Sequence, residues 1–132
     1  MEKEPVTKVT AAVICRDNMY FICRRENGLW EFPGGKVEPG ETPEACLQRE
    51  CFEELSIRIR TGMLLDSVRV LSDKYKPLEI LFYSAWILEG EPIPSVHTAL
   101  RFVPEAELDE YRFCEADRIF LEKRLAEKER KP

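Results

Sequence analysis

The stretch from residue 34 to residue 57, GGKVEPGETPEACLQRECFEELSI, determines the fold of this chain and contains most of its candidate functional residues. It joins a glycine loop to a segment that predicts an α-helix from Pro43 to Leu55. Thr42 is a favourable N-cap, and Pro43 then occupies the first helical position, where its missing N–H costs nothing. A rigid helix therefore follows directly after a loop that can turn sharply.

Three glutamates lie on one face of this predicted helix. At about 100° per residue, Glu50, Glu53 and Glu54 fall within an arc of roughly 100°, and apolar residues on the other side predict packing on a core. Like charges at these spacings repel by about 0.2–0.5 kcal/mol per pair, and a divalent cation reverses that sign. Because carboxylate oxygens suit Mg²⁺, the face is a candidate magnesium site; the alternative is a solvated acidic face.

The same stretch resembles the Nudix box, in which a glycine, a glutamate, an Arg-Glu pair and a Glu-Glu pair recur at fixed spacings. Ser56 replaces the glycine of that pattern, and Cys51 fills one of its apolar positions. The resemblance implies an α/β fold, the Nudix α/β/α sandwich with a mixed central sheet. The residues that match the box are Gly35, Glu41, Arg49, Glu50, Glu53, Glu54 and Ile57.

Segments outside the box resemble the MutT-like branch of the superfamily. The resemblance implies Mg²⁺-dependent hydrolysis of a nucleoside triphosphate to the monophosphate and pyrophosphate, with Mn²⁺ as an alternative metal and 8-oxo-dGTP as the favoured substrate. The alternatives are CTP or dCTP, another nucleoside diphosphate linked to X, and a non-catalytic Nudix-like binding module. The matching segments are residues 22–25, 30–36, 99–108 and 115–117.

The resemblance also implies roles for single residues. Glu50 or Glu53 is the expected general base, with Arg49 holding a glutamate by a charge-assisted bond. Relatives place a further metal-binding glutamate near the position of Val96, so the number of metals stays open. The expected metal ligands are the Gly34 carbonyl, Glu50, Glu53 and Glu54; the expected supporting residues are Gly35 and Glu41; the expected substrate contacts are Arg24, Lys36 and Asp117.

Asp117 corresponds to the position that contacts the base in MutT-like relatives. An ionised carboxylate accepts hydrogen bonds from the amino groups of a base and cannot donate. The alternative is that Asp117 caps the last helix.

Composition predicts one compact domain over residues 1–132, with a frayed tail at 128–132. The net charge of −5 argues against a nucleic-acid polymer as partner, but a nucleotide can bind through a metal. No apolar run suggests a signal peptide or a membrane contact, and five cysteines without a C-x-x-C pair favour a reducing cytoplasm. We expect a monomer or homodimer, with the single His97 in a structural or surface role.

The remaining patterns predict strands before and after the helix and a second helix near the end. Such an order favours a mixed sheet covered on both faces. The predicted strands are 6–16, 19–24, 57–71, 78–88 and 99–103, and the predicted second helix is 116–127.

Overall fold

The computed structural model describes residues 5–130. Its elements are β1 (Thr7–Arg16), β2 (Met19–Arg24), β3 (Trp30–Glu31), β4 (Gly34–Lys36), α1 (Pro43–Leu55), β5 (Arg58–Leu71), β6 (Pro77–Glu89), β7 (Ala99–Pro104), a 3₁₀ turn (Glu105–Glu110) and α2 (Glu115–Arg130).

Between residues 5 and 130, seven strands form one mixed sheet. The sequence predicted the mixed sheet and five of these strands, but not β3 and β4. The main strand order is β3-β2-β1-β6-β5, with β4 beside β1 and β7 beside β2. The β1 and β6 strands are parallel, and the other pairs are antiparallel. A parallel pair needs a long crossover, and the segment between β1 and β6 contains α1.

Part of the glycine loop forms a strand, β4, that pairs with β1 in the sheet. β4 pairs with β1 between Val9 and Ala11, whereas β2 pairs with β1 only at Cys15 and Arg16. The β1–β2 hairpin turn uses two residues with positive φ, Asp17 (54°) and Asn18 (63°). Positive φ at both central positions matches the twist of the two strands.

The two helices cover opposite faces of the sheet. Successive β1 residues point to opposite faces, and Ala11 and Ala12 accordingly belong to different hydrophobic cores. The core with Ala12 contains Leu47, Cys51 and Leu55 of α1. The core with Ala11 contains Phe120 of α2, whose ring stacks on Phe82 with centroids 4.3 Å apart. This arrangement confirms the predicted α/β/α sandwich.

The ends of α1 follow from its sequence. Thr42 Oγ1 accepts a hydrogen bond from the Ala45 amide at 3.1 Å, and Pro43 begins the helix. Ser56 ends the helix in the left-handed conformation, with φ 59° and ψ 33°. Its amide bonds to the Phe52 carbonyl at 3.0 Å, and the next amide, of Ile57, reaches the Cys51 carbonyl at 3.5 Å.

The second helix is longer than the sequence predicted. It continues through Arg130, beyond the predicted end at residue 127, and residues 131 and 132 lie outside the described range. The reason is a tertiary contact: the Lys128 ammonium bonds to Glu105 at 2.6 Å. The expected fraying of 128–132 stays a prediction. Between residues 5 and 130, no helix is both long enough and apolar enough to span a membrane.

Candidate active site

Arg49 is the centre of an ion-pair network on the exposed face of α1. Its guanidinium donates to both Glu41 oxygens, at 2.7 and 3.0 Å, and to Glu50 at 2.9 Å. A longer contact of 3.3 Å reaches Glu53, one helical turn further on. Arg49 thus holds the side chains of three box glutamates, in agreement with the supporting role expected for it.

Glu41 connects the loop to the helix. Besides the two bonds from Arg49, its carboxylate accepts the Glu38 amide at 3.0 Å. These bonds, with Arg49 the strongest influence, lower the pKa of Glu41 to about 2. The carboxylate is therefore ionised at any physiological pH and holds the loop against α1.

Gly35 is required by the position of Glu50. A Cβ atom at Gly35 would lie 2.4 Å from the Glu50 carboxyl carbon, closer than real Cβ atoms approach. A Cβ at Gly34 would meet the Thr10 carbonyl oxygen at 1.9 Å, so this glycine lets β4 pair closely with β1. The two glycines thus bring the loop backbone against both the sheet and a candidate metal ligand.

Glu54 carries an unusual carboxyl group. Burial raises its pKa to about 7, and two further effects add to this: the protonated Glu54 donates a hydrogen bond to Glu50, and the charge of Glu50 disfavours ionisation of Glu54. Two carboxyl groups this close compete for one proton, and a bound cation would relieve their repulsion.

The glutamates form a pair rather than a complete metal cage. Within residues 5–130, no three His, Cys, Asp or Glu side chains converge closely enough to hold a metal ion. The Glu53 side chain is 57% exposed and is turned towards Arg49. Because Mg²⁺ usually takes one or two carboxylates and completes its shell with water and substrate phosphates, the Glu50–Glu54 pair fits this metal.

A cleft of about 660 Å³ opens beside the glycine loop. Gly34, Gly35, Lys36 and Asp117 all line it, so the structure brings the predicted glycine loop together with a predicted residue of the last helix. The β5–β6 hairpin, residues 70–73, forms part of the wall. No glutamate of α1 lines this cleft, but Gly35, which does line it, lies beside the Glu50 carboxyl group.

Asp117 is buried, although it faces this cleft. Its Oδ1 accepts the Phe32 amide at 2.9 Å, so the carboxyl group joins α2 to the chain that follows β3. Burial raises its pKa to about 8, against an ordinary value of 3.8. The sequence argument considered the ionised form of Asp117, whereas burial favours the protonated acid, which both donates and accepts.

Arg24 does not line the cleft. Its Nε donates to Thr98 Oγ1 at 2.9 Å, which directs the guanidinium to β7. The next residue, Arg25, lines the cleft instead, together with Glu31 and Asn27. Strand alternation explains the difference, because adjacent residues at the end of β2 point to opposite sides.

A second cavity of about 360 Å³ adjoins the first and shares Arg25, Asn27 and Glu31 with it. Glu54 lines this cavity, as does Val96, which is 55% exposed. The position at which relatives place a glutamate therefore lies on the same cavity as a box carboxylate, but here it is apolar.

Sequence reasoning gave no functional role to three residues of these cavities. Arg25 and Glu31 lie in segments that resemble the MutT-like branch, but no role was predicted for either residue. The single His97 was expected to be structural or on the surface. Glu31 lies on the two-residue strand β3, which is too short to show a periodic pattern. His97 lies between Val96 and Thr98 in a short segment without a regular pattern, which gives no sign that its side chain is buried.

Comparison with known proteins identifies the family to which this chain belongs. Residues 6–132 match the NUDIX domain model, so the chain belongs to the Nudix family. A Proteus vulgaris protein called 8-oxo-dGTP diphosphatase is 40% identical over 85 residues, which cover 59% of this chain and 76% of the relative. A protein of Escherichia coli K12, called CTP pyrophosphohydrolase, is 34% identical over 95% of this chain and 96% of its own length.

The fold comparison identifies the branch. The crystal structure of a MutT NUDIX hydrolase from Burkholderia pseudomallei superposes with a TM-score of 0.82 at 30% identity, covering 90% of this chain and 98% of that one. The chain is a Nudix hydrolase of the MutT-like branch, and the family and fold implied by the sequence resemblance are confirmed.

Proposed function

We propose that this enzyme hydrolyses a nucleoside triphosphate to the monophosphate and pyrophosphate with the help of Mg²⁺, or of Mn²⁺ in its place. The observation that carries the proposal is the contact between Gly35 and Glu50, because it joins a nucleotide-sized cleft to a pair of carboxylates. Phosphoryl transfer needs positioning and charge neutralisation more than covalent help, and this site can provide both. The names of the relatives from Proteus and Escherichia support the same reaction class.

Glu50 and Glu54 would hold the metal, joined by the Gly34 carbonyl and by Glu53 if its side chain turns away from Arg49. When bound, the metal supplies positive charge that offsets the charge of the phosphate chain. Without the metal, the charges of the paired carboxyl groups repel each other. A bound cation relieves this repulsion, and the relief favours metal binding.

The residues of α1 also handle the proton. Glu50 or Glu53 accepts a proton from the attacking water while the water oxygen bonds to an internal phosphorus. The anhydride bond of that phosphorus breaks, and the monophosphate and pyrophosphate leave. Arg49 keeps Glu50 and Glu53 in place through its bonds of 2.9 and 3.3 Å.

Lys36 and Arg25 supply positive charge along the cleft, and Asp117 contacts the base. A protonated Asp117 offers one donor and one acceptor, as an amide does, and so complements a base edge that carries both. Guanine, 8-oxoguanine and cytosine have such edges, and so do the other bases, so a neutral Asp117 contacts the base without selecting it alone. We place 8-oxo-dGTP first, with CTP and dCTP as a second candidate supported by the nearly full-length relative named for CTP.

The test is product analysis across a panel that contains 8-oxo-dGTP, dGTP, CTP, dCTP, UTP, dTTP and a nucleotide sugar, with and without EDTA. The expected result is pyrophosphate and monophosphate from one of the first four nucleotides, only when Mg²⁺ is present. Cleavage of the nucleotide sugar alone would replace the triphosphate assignment with a diphosphate linked to X. No turnover of any compound would indicate a binding module.

A further inference from the structure

His97 is buried inside a loop whose other residues face solvent. It is the only histidine of the chain, and its side chain is 4% exposed, whereas Val96 and Thr98 on either side are exposed. A buried imidazole is costly unless it makes a hydrogen bond, so its partner indicates what it does.

That partner is Glu31. The Nε2 atom of His97 lies 3.0 Å from Oε2 of Glu31. The other ring nitrogen, Nδ1, is buried and has no hydrogen-bond partner within the described part of the chain. A tautomer protonated at Nε2 explains both facts, since it gives Glu31 a donor and leaves at Nδ1 a lone pair instead of an unpaired N–H.

The loop that carries His97 is fixed on both sides. The Thr98 amide bonds to the Arg24 carbonyl at 2.9 Å, which anchors the loop to the end of β2. Ser95 Oγ bonds to the Glu54 carbonyl at 2.8 Å, which anchors it to the end of α1. The imidazole is therefore held between the strand and the helix that carry the candidate site.

Glu31 occupies the boundary between the two cavities. It lines both of them, and its side chain is 26% exposed. Its second oxygen, Oε1, lies 4.0 Å from Arg25 Nε, so the carboxylate has His97 on one side and a cation on the other. Arg25 also lines both cavities.

We propose that His97 is a positioning residue that keeps the Glu31 carboxylate in a loose ion pair with Arg25, at 4.0 Å, and prevents a closer bond, so that both groups stay available to the nucleotide. Without the imidazole, Arg25 is the remaining ion-pair partner of Glu31 among residues 5–130. The carboxylate would turn to Arg25, and the cleft would lose an acceptor and a cation together. The proposal rests on the proposed function, because it assigns His97 to nucleotide affinity and not to the chemical step.

Two substitutions separate this role from a purely structural one. The amide nitrogen of glutamine can reach the place of Nε2, whereas that of asparagine corresponds to Nδ1. His97→Asn should therefore raise KM about fivefold to tenfold with kcat within about twofold, and His97→Gln should restore KM to within about twofold. A double variant tests the partner: in a Glu31→Ala background, His97→Asn should leave KM unchanged.

A second measurement needs no substrate. Because the chain has one histidine, its ring nitrogens give one unambiguous set of ¹⁵N signals in a long-range ¹H–¹⁵N spectrum. The expected pattern is a protonated Nε2 and an unprotonated Nδ1, with the Nε2 signal shifted by Glu31→Gln. A protonated Nδ1 would overturn the proposal.

The kinetic outcomes are equally decisive. Equal losses of kcat and melting temperature in the Asn and Gln variants, with KM unchanged, would make His97 a structural residue and overturn the proposal. If the wild-type protein shows the expected ¹⁵N pattern but hydrolyses no nucleotide, the proposed function fails and the assigned effect on affinity fails with it. An intact contact and an intact activity with unchanged KM would reject the positioning role alone.

Discussion

Burial changes the chemistry of one carboxyl group in the cleft, that of Asp117. An acid whose pKa is raised on folding binds protons more tightly in the folded state, so stability falls as pH rises between the two pKa values. For Asp117 that window runs from its ordinary value of 3.8 to about 8. Glu54 contributes a slope of the same sign up to about pH 7, so only a comparison with a variant isolates Asp117.

We expect Asp117→Asn to remove part of this pH dependence. Asparagine keeps an oxygen for the Phe32 amide but never ionises. The melting temperature of the variant should therefore rise relative to that of the wild type as pH increases from 6 to 9. Melting temperatures of both proteins across this range measure the effect. A constant difference between the two curves would show that Asp117 does not titrate in the window.

The same residue should control the ranking of bases. Because a neutral Asp117 has the donor and acceptor of an amide, Asp117→Asn should keep the wild-type order of nucleotides at pH 7, and Asp117→Ala, which removes both groups, should change that order. At pH 9 the wild-type order should change and that of the Asn variant should not. Ratios of kcat/KM at the two pH values provide the test; identical orders in all three proteins would mean that another residue contacts the base.

The end of α1 is strained where it meets β5. Ser56 has a positive φ of 59°, a conformation that costs an L-residue about 1 kcal/mol and glycine much less. Ser56→Gly should therefore stabilise the protein by up to about 1 kcal/mol with activity retained. Ser56→Ala, which keeps the Cβ atom, is the matched control and should give no gain; a lower melting temperature for the glycine variant would contradict the prediction.

The carboxylate face of α1 should be the most sensitive part of the enzyme. Glu53→Gln and Glu54→Gln keep side-chain size but remove charge, and each should lower kcat/KM by about 100-fold or more because metal charge stabilisation is lost. Glu122→Gln is a suitable control, since Glu122 is 66% exposed on α2 and pairs only with Arg118 among the described residues. Wild-type rates in both α1 variants, or full turnover in EDTA, would reject the metal assignment.

Across the whole molecule, the sequence predicted secondary structure well where its hydrophobic patterns are long. The sequence predicted strands at 57–71 and 78–88, and no end of β5 or β6 differs from these bounds by more than one residue. It missed β3 and β4, because two or three residues show no period, and Glu31 was overlooked as a result. The raised pKa of Asp117 depends on burial in the folded protein, and the extra turn of α2 depends on a tertiary contact with Glu105. Local sequence patterns contain neither.

Repulsion between two carboxylates destabilises the metal-free protein, and a bound metal should remove that destabilisation. Glu54 and Glu50 disfavour each other's charge in the metal-free protein, so Glu54→Gln should match or exceed the wild type in melting temperature without Mg²⁺. With Mg²⁺ at about ten times its dissociation constant, binding should stabilise the wild type by about 1.4 kcal/mol, or roughly 3–7 °C. The Glu54→Gln variant should show little of this shift, and Glu122→Gln should show all of it. An equal Mg²⁺ shift in all three proteins, measured by calorimetry at constant ionic strength, would place the cation elsewhere on the surface.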